Sequence, residues 1–361
     1  MIDPSSYSTE WISTVSARYR NTDKILIEKV IRALTLLKDL KLSGLNFIFK
    51  GGTALMLMLD KPYRLSIDID IIMDKSHSDL NTVFENICKK GTFNHFVSQE
   101  RHTENAIEKA HYKFYYNPVI RTHSEEEYVI LDILFESNPY NKLIQTPIQS
   151  PFIKLSGEPN TVTTPIFEAI LGDKLTAFAP NTTGVPYFKG KTSMSMEIIK
   201  QLYDIGNLFD VVSDIIEIKD AFETIAINEL KYREMEHLQP VDILKDIIQT
   251  SFCISTRGIS GDCRFADIQH GIKRISSFIY SNRYVIEDAI LSASKAAYLA
   301  ALLNNPDQTI VRFSTSPSFS ELSITNPTYN KLNKLKKGIP EAFWNWYHTV
   351  QLLTNEWPGA S

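Results

Sequence analysis

An α/β (α+β) fold, built as a small mixed-sheet core followed by a mainly helical domain, is predicted by three features of the 361-residue sequence. Short apolar strand patterns alternate with helical periodicities over the first 160 residues. An irregular segment at 138–165, punctuated by Pro139, Pro147, Pro151, Pro159 and Pro165, then breaks that pattern. Beyond it the periodicity is mainly helical, so the chain divides into a core at 1–160 and a second domain at 161–361.

The elements follow in order. Residues 22–42 read as an amphipathic helix: Ile25, Ile27, Val30, Ile31, Leu34, Leu36 and Leu37 recur at near-helical spacing behind an Asn21/Thr22 capping signal, and Ser43-Gly44 ends it. Residues 47–49 form a short strand, 54–59 a helix, and 67–71 a second strand reached through a loop with Pro62. A polar turn at 74–78 leads into a helix at 79–89 with Leu80, Val83, Phe84 and Ile87 on one face. Residues 91–99, 110–120 and 128–135 read as strands. Helices are expected at 166–179, 194–213, 216–235, 240–252, 265–281, 285–303 and 340–353, with a long loop at 181–193.

Composition narrows the function classes. Lys+Arg 38 against Asp+Glu 42 gives a net charge of −4, so no global basic field advertises nucleic acid, and an RNA partner requires a local patch. Lys331, Lys334, Lys336 and Lys337, followed by the aromatic run at 343–347, form one such cluster, whose ordinary reading is a solvated loop before a core helix. Cys88, Cys253 and Cys263 make no C-x-x-C pair; this fits a reducing cytoplasm and leaves an oxidised Cys253–Cys263 pair open. No apolar run approaches the ~18 residues of a membrane span, and the N-terminus carries no signal pattern. The expected chain is cytoplasmic, without a membrane partner. Neither a zinc spacing nor a G-x-S-x-G elbow occurs, which removes zinc and serine-hydrolase chemistry.

The chemistry concentrates in residues 47–74. Asp68 and Asp70 alternate with Ile67, Ile69 and Ile71, so on a strand both carboxylates share one face. Two adjacent carboxylates repel unless a cation sits between them, and their hard oxygens suit Mg²⁺. Gly51-Gly52-Thr53, opening a helix, offers unpaired N–H groups at its positive end to a phosphate. Phosphate cradle and metal platform, joined by one helix, make a constellation for moving a nucleotide. Asp132, set among the apolar residues of 128–135, is the second unusual feature, because a buried carboxylate needs a partner or a task.

Lys50-Gly-Gly-Thr-Ala-Leu55 followed by Arg64-Leu-Ser66-Ile-Asp68-Ile-Asp70 resembles the AbiEii/AbiGii-type, MenT-like toxins, nucleotidyltransferases of the polymerase-β-like superfamily. The resemblance implies transfer of a nucleoside monophosphate from an NTP to an acceptor, a tRNA 3′ end in MenT-like members, with a cognate antitoxin as partner. It implies a two-ion Mg²⁺ site on Asp68, Asp70 and Asp132, and nucleotide contacts from Lys50, Gly51, Gly52, Thr53, Arg64 and Ser66. Two later matches add catalytic residues. Glu168 to Ala177 is similar to the family's lysine-bearing helix, with one extra residue before Lys174, which would also neutralise the triphosphate. Lys200 to Asp204 keeps the outer residues of a further motif but has Gln201 where an Asp is common, leaving Asp204 as the functional carboxylate.

Plainer readings stand beside these. Asp68 and Asp70 also fit as acids paired with Arg64 and Lys61, Thr53 as a cap, Asp132 as a structural acid, and Lys174 as a snorkelling lysine. Asp204 has Lys200 at i−4, and Ser66 fits as a turn hydrogen-bonder. Alternative functions are modification of a protein side chain or small molecule, and an inactive nucleotide- or partner-binding protein; the intact three-acid set argues against inactivity.

Overall fold

The computed structural model describes residues 1–60, 64–74, 79–99, 109–281, 283–305, 307–315 and 317–356; Lys61, the Pro62 loop and the turn at 75–78 lie outside the described residues. Two units make up the chain, Met1–Ile166 with Ser276–Arg283, and Phe167–Ile275 with Tyr284–Ser361.

In the first unit, Ser8 caps α1 (Thr9–Arg18), a helix not expected from periodicity. Asp23 caps α2 (Lys24–Leu42), which buries Ile27, Val30, Ile31, Leu34 and Leu37 along one stripe. There follow β1 (Ile48–Lys50), α3 (Gly51–Met58), β2 (Ile69–Met73), α4 (Leu80–Cys88), β3 (His95–Gln99), β4 (Lys109–Tyr116) and β5 (Glu127–Phe135). The five strands form one sheet in the order β1-β2-β5-β4-β3. Only β2 and β5 run parallel; the other pairs are antiparallel, so the sheet is mixed, as expected.

Alternation sets the faces. Ile69, Ile71 and Met73 on β2 and Val129, Leu131 and Ile133 on β5 are buried in one core with Phe84, Phe93 and Phe114. Asp70 and Asp132 occupy the intervening positions. The segment expected to be irregular contains a further antiparallel pair, β6 (Leu143–Pro147) and β7 (Thr161–Pro165). Its prolines misled the reading because Pro147 and Pro165 stand at strand ends, where a missing N–H costs the ladder little.

The second unit contains α5 (Phe167–Ala177), the two-residue strands β8 (Phe188–Lys189) and β9 (Thr192–Ser193), and α6 (Ser195–Phe209). It continues with α7 (Ile215–Tyr232), α8 (Pro240–Ser255), α9 (Phe265–Ile275), α10 (Ile286–Leu303), α11 (Leu335–Gly338) and α12 (Pro340–Glu356). The helix expected to reach residue 281 stops at Ile275, because the next residues return to the first unit: the Leu65 N–H donates to the Phe278 carbonyl at 2.8 Å and Arg64 bridges to Ile279. The lysines of the basic-aromatic cluster are helical where a loop was expected: Lys331 and Lys334 lie in a 3-10 turn at Asn330–Lys334, and Lys336 and Lys337 in α11. Phe343 and Trp346 are buried core, and Lys336 donates to the carbonyls of Ser320 and Leu322. Cys253 and Cys263 form a disulfide, the option left open above. Among the described residues no helix is long and apolar enough to cross a membrane.

His348 on α12 packs against Tyr298, Trp344 and Tyr347, and its Nε2 has no hydrogen-bond partner among the described residues. Burial therefore holds its imidazole below the ordinary value of 6.5. The folded state favours the neutral ring, so this contribution to stability is fully present above pH ~6.5 and is lost as the pH falls from there through the lowered folded value. Thermal melts between pH 7.5 and 5.5 should fall more steeply for the native chain than for His348→Phe; parallel slopes would remove His348 from the acid response.

Candidate active site

β1 passes into α3 without a loop, and Lys50 is the residue at the junction. Gly51 has φ +81°, a region that residues with a Cβ avoid. A Cβ there would lie 2.2 Å from Asp70 Oδ2; one on Gly52 would lie 2.6 Å from Arg64 Nη2 and 2.8 Å from Ser66 Oγ. The glycines are thus required first by this chain's own side chains, where the sequence suggested close approach of a phosphate. Thr53 is fully buried, and its hydroxyl donates to the Asp68 carbonyl at 2.6 Å. It makes no side-chain cap, but ties α3 to the segment that enters β2. Asp68 itself lies one residue before β2, not within the strand.

Register assembles the rest. Lys50 pairs with Asp70, Asp70 with Asp132, Asp132 with His111, and His111 with Gln99. A row of polar residues therefore crosses all five strands at one level. Its members share the sheet face opposite the core, since Ile71, Ile133 and Phe114 lie on the other parity. The row explains Asp132. Its side chain is 38% exposed and His111 Nδ1 lies 2.5 Å from Oδ1, so it is an accessible, partnered acid and not the buried one inferred from the apolar run.

Electrostatics favour an anion at the glycine end of α3. Arg64 is buried, donates from Nη1 to the Leu65 carbonyl at 3.1 Å, and brings its guanidinium against Gly52. A cation beside the positive end of a helix dipole attracts a phosphate from both sources. For a divalent ion the donor chemistry is right, because carboxylate oxygens are hard ligands. Among the described residues no three His, Cys, Asp or Glu converge as a ready-made cage. Thr53 bonds the backbone of the Asp68 segment, and His111 bonds the Asp132 carboxylate. Asp70 and Asp132 remain register neighbours, and Mg²⁺ needs only one or two protein carboxylates when phosphate and water complete its shell.

The second unit holds a separate ionic pair. Lys174 on α5 is buried, with Nζ 2.9 Å from Asp204 Oδ2 and donating to Gln201 Oε1 at 3.0 Å. It does not snorkel. Asp204 turns to Lys174, while Lys200, its expected i−4 partner, pairs with Glu197 at 2.9 Å. Gln201 also lines a cavity of about 390 Å³ with Thr176, Thr183, Met194 and Arg233.

His111 is the site residue that sequence reasoning passed over. Its signal was weak: within the strand at 110–120 it is one polar side chain among Lys and Tyr, and only the β4–β5 register reveals Asp132 as its neighbour.

Gly44 and Gly51 separate backbone strain from contact, having φ +83° and +81°, with open space beside the first and Asp70 beside the second. Gly44→Ala should cost about 1–2 kcal/mol, the price of a left-handed alanine. Gly51→Ala should cost at least about 1 kcal/mol more through overlap with Asp70. Denaturant midpoints measure both; equal losses would mean that Asp70 moves aside freely.

Three solved structures resemble the chain at low identity. JHP933 from Helicobacter pylori is 15% identical over 78% of this chain and 93% of its own, with a TM-score of 0.40. A putative nucleotidyltransferase from H. pylori is also 15% identical, over 78% and 96%, at 0.38. MenT4, a nucleotidyltransferase toxin from Mycobacterium tuberculosis H37Rv, is 12% identical over 92% and 98%, at 0.48. No curated protein matches the sequence. The family model described as nucleotidyl transferase AbiEii toxin of a type IV toxin–antitoxin system matches residues 35–251, from α2 to α8. With the glycine turn, the acidic row and the Lys174–Asp204 pair all inside that match, the chain belongs to the AbiEii nucleotidyl transferase toxin family.

Proposed function

We propose that this nucleotidyltransferase is Mg²⁺-dependent and moves a nucleoside monophosphate from an NTP to an acceptor hydroxyl, that of a tRNA 3′ end, and that a cognate antitoxin protein restrains it. The observation that carries the reading is the register setting Asp70 beside Asp132, with Gly51 at the start of α3 against Asp70 and Arg64 against Gly52. Asp68, Asp70 and Asp132 would supply the oxygen ligands of the metal. When bound, a divalent ion supplies neutralisation of the charge on the phosphate under attack.

The chain's own groups do the remainder. Arg64, Lys50 and the N–H groups at the start of α3 favour the phosphates; Gly51, Gly52, Thr53 and Ser66 shape that end of the helix. Asp132 receives the proton of the acceptor hydroxyl as its oxygen bonds to the α-phosphorus. The bond from the α-phosphorus to the bridging oxygen breaks, and pyrophosphate leaves with the electron pair. Lys174, oriented by Asp204, is assigned to the triphosphate charge. The net charge of −4 leaves RNA to a local surface, so the tRNA acceptor rests on the resemblance to MenT-like members.

The test offers each α-³²P-labelled NTP with Mg²⁺ to total tRNA, total protein or neither. Label is expected on tRNA, falling about 100-fold or more in Asp70→Asn and Asp132→Asn, about 10-fold or more in Lys174→Ala, and vanishing with EDTA. Label on protein would move the acceptor to a side chain. Mg²⁺–NTP binding without transfer to any offered acceptor would turn the reading to a small molecule or to an inactive binder.

A further inference from the structure

The row across the sheet contains one titratable side chain to which the transfer reaction assigns no task. His111 Nδ1 lies 2.5 Å from Asp132 Oδ1. A cross-strand His–Asp pair can be no more than a local sheet contact. Two further observations decide against that. The first is the exposure gradient: the His111 side chain is 13% exposed and that of Asp132 38%. The imidazole stands behind the acid, and the acid is the outward member, whereas a surface ion pair leaves both heads to water. The second is the level. Asp132 has His111 as its partner on β4 and Asp70 as its partner on β2, so the hydrogen bond enters from the side away from the second carboxylate.

We propose that His111 is a positioning residue for the transfer: by donating from Nδ1 to Asp132 Oδ1, it fixes the carboxylate plane and directs Oδ2 toward Asp70 and the ligand. The inference rests on the reading of Asp132 as a metal-binding acid. The torsion that rotates a carboxylate about its Cβ–Cγ bond is broad and roughly two-fold, so an untethered Asp132 presents either oxygen over a wide range of angles. One strong donor removes that freedom, and hydrogen-bond partners of metal-ligating groups commonly control affinity in this way. The bond also fixes the ring: Nδ1 carries the proton that Asp132 accepts.

The two ring nitrogens can be distinguished by substitution. An asparagine amide nitrogen reaches the position of Nδ1, whereas a glutamine amide extends towards that of Nε2. Mn²⁺ binding, followed by electron paramagnetic resonance on the full chain, reads the carboxylate without needing an acceptor. Asp132→Asn and His111→Ala should each weaken Mn²⁺ about tenfold or more, and His111→Gln should match His111→Ala. His111→Asn should stay within about threefold of the native chain. The KM for Mg²⁺–NTP should rise in the same order, with thermal melts establishing that each variant is folded. If Asp132→Asn weakens Mn²⁺ and His111→Ala does not, the inference is overturned while the proposed function stands. If neither changes Mn²⁺ affinity, Asp132 is not a metal ligand and both fall. If His111→Asn binds Mn²⁺ normally yet transfers as slowly as His111→Ala, the imidazole acts in the chemistry itself, and the positioning role is wrong.

Discussion

The parallel pairing of β2 with β5 is the constraint on which the first unit depends. Its register buries Ile69, Ile71, Leu131 and Ile133 together and, by the same alternation, sets Asp70 opposite Asp132 on the other face. A slip of one residue in β2 would send Asp70 into the core and Ile71 out of it. Core packing and site geometry are therefore a single choice, and the apolar face maintains the acidic one. The choice propagates to α3. With Asp70 placed there, the first residue of the helix must lack a Cβ and take a left-handed turn, which only Gly51 does cheaply.

The Lys174–Asp204 pair follows a different logic. Two opposite charges buried at 2.9 Å lose hydration that their attraction recovers only in part. Gln201 satisfies a further ammonium proton without adding a second negative charge, so the cluster stays near neutrality where an aspartate would leave it anionic. Such an arrangement is poor as a stabilising device and well suited to hold one cation in one orientation.

Much of this was legible before any coordinates. The glycine turn, Asp68-x-Asp70 and Asp132 stand out because acids and glycines interrupt strongly apolar runs, and local chemistry suffices to notice them. Lys174 and Asp204 were visible only through family resemblance, since a lysine in an apolar helix and an acid four residues after Lys200 each have ordinary explanations. What local reading missed is what register and distance determine. His111 acquires meaning only beside Asp132, Arg64 only beside Gly52, and the exposure of Asp132 only from the parity of β5. The helix expected through residue 281 failed for a related reason: periodicity near Ile275 cannot report that the following residues pair with Leu65.

That return has a consequence for how the protein is made. Leu65 and Arg64, which lead into the acidic strand, obtain their partners from Phe278 and Ile279, after all of α5 to α9 has been synthesised. At ribosomal speeds the wait is on the order of 10–40 seconds. Throughout it the nascent chain carries its glycine turn and Asp68-x-Asp70 with one flank unpaired. A product ending before Ser276 would never complete them. For a toxin, the last strut of the first unit thus arrives only after the helices α5 to α9, and completion of that unit is coupled to their synthesis.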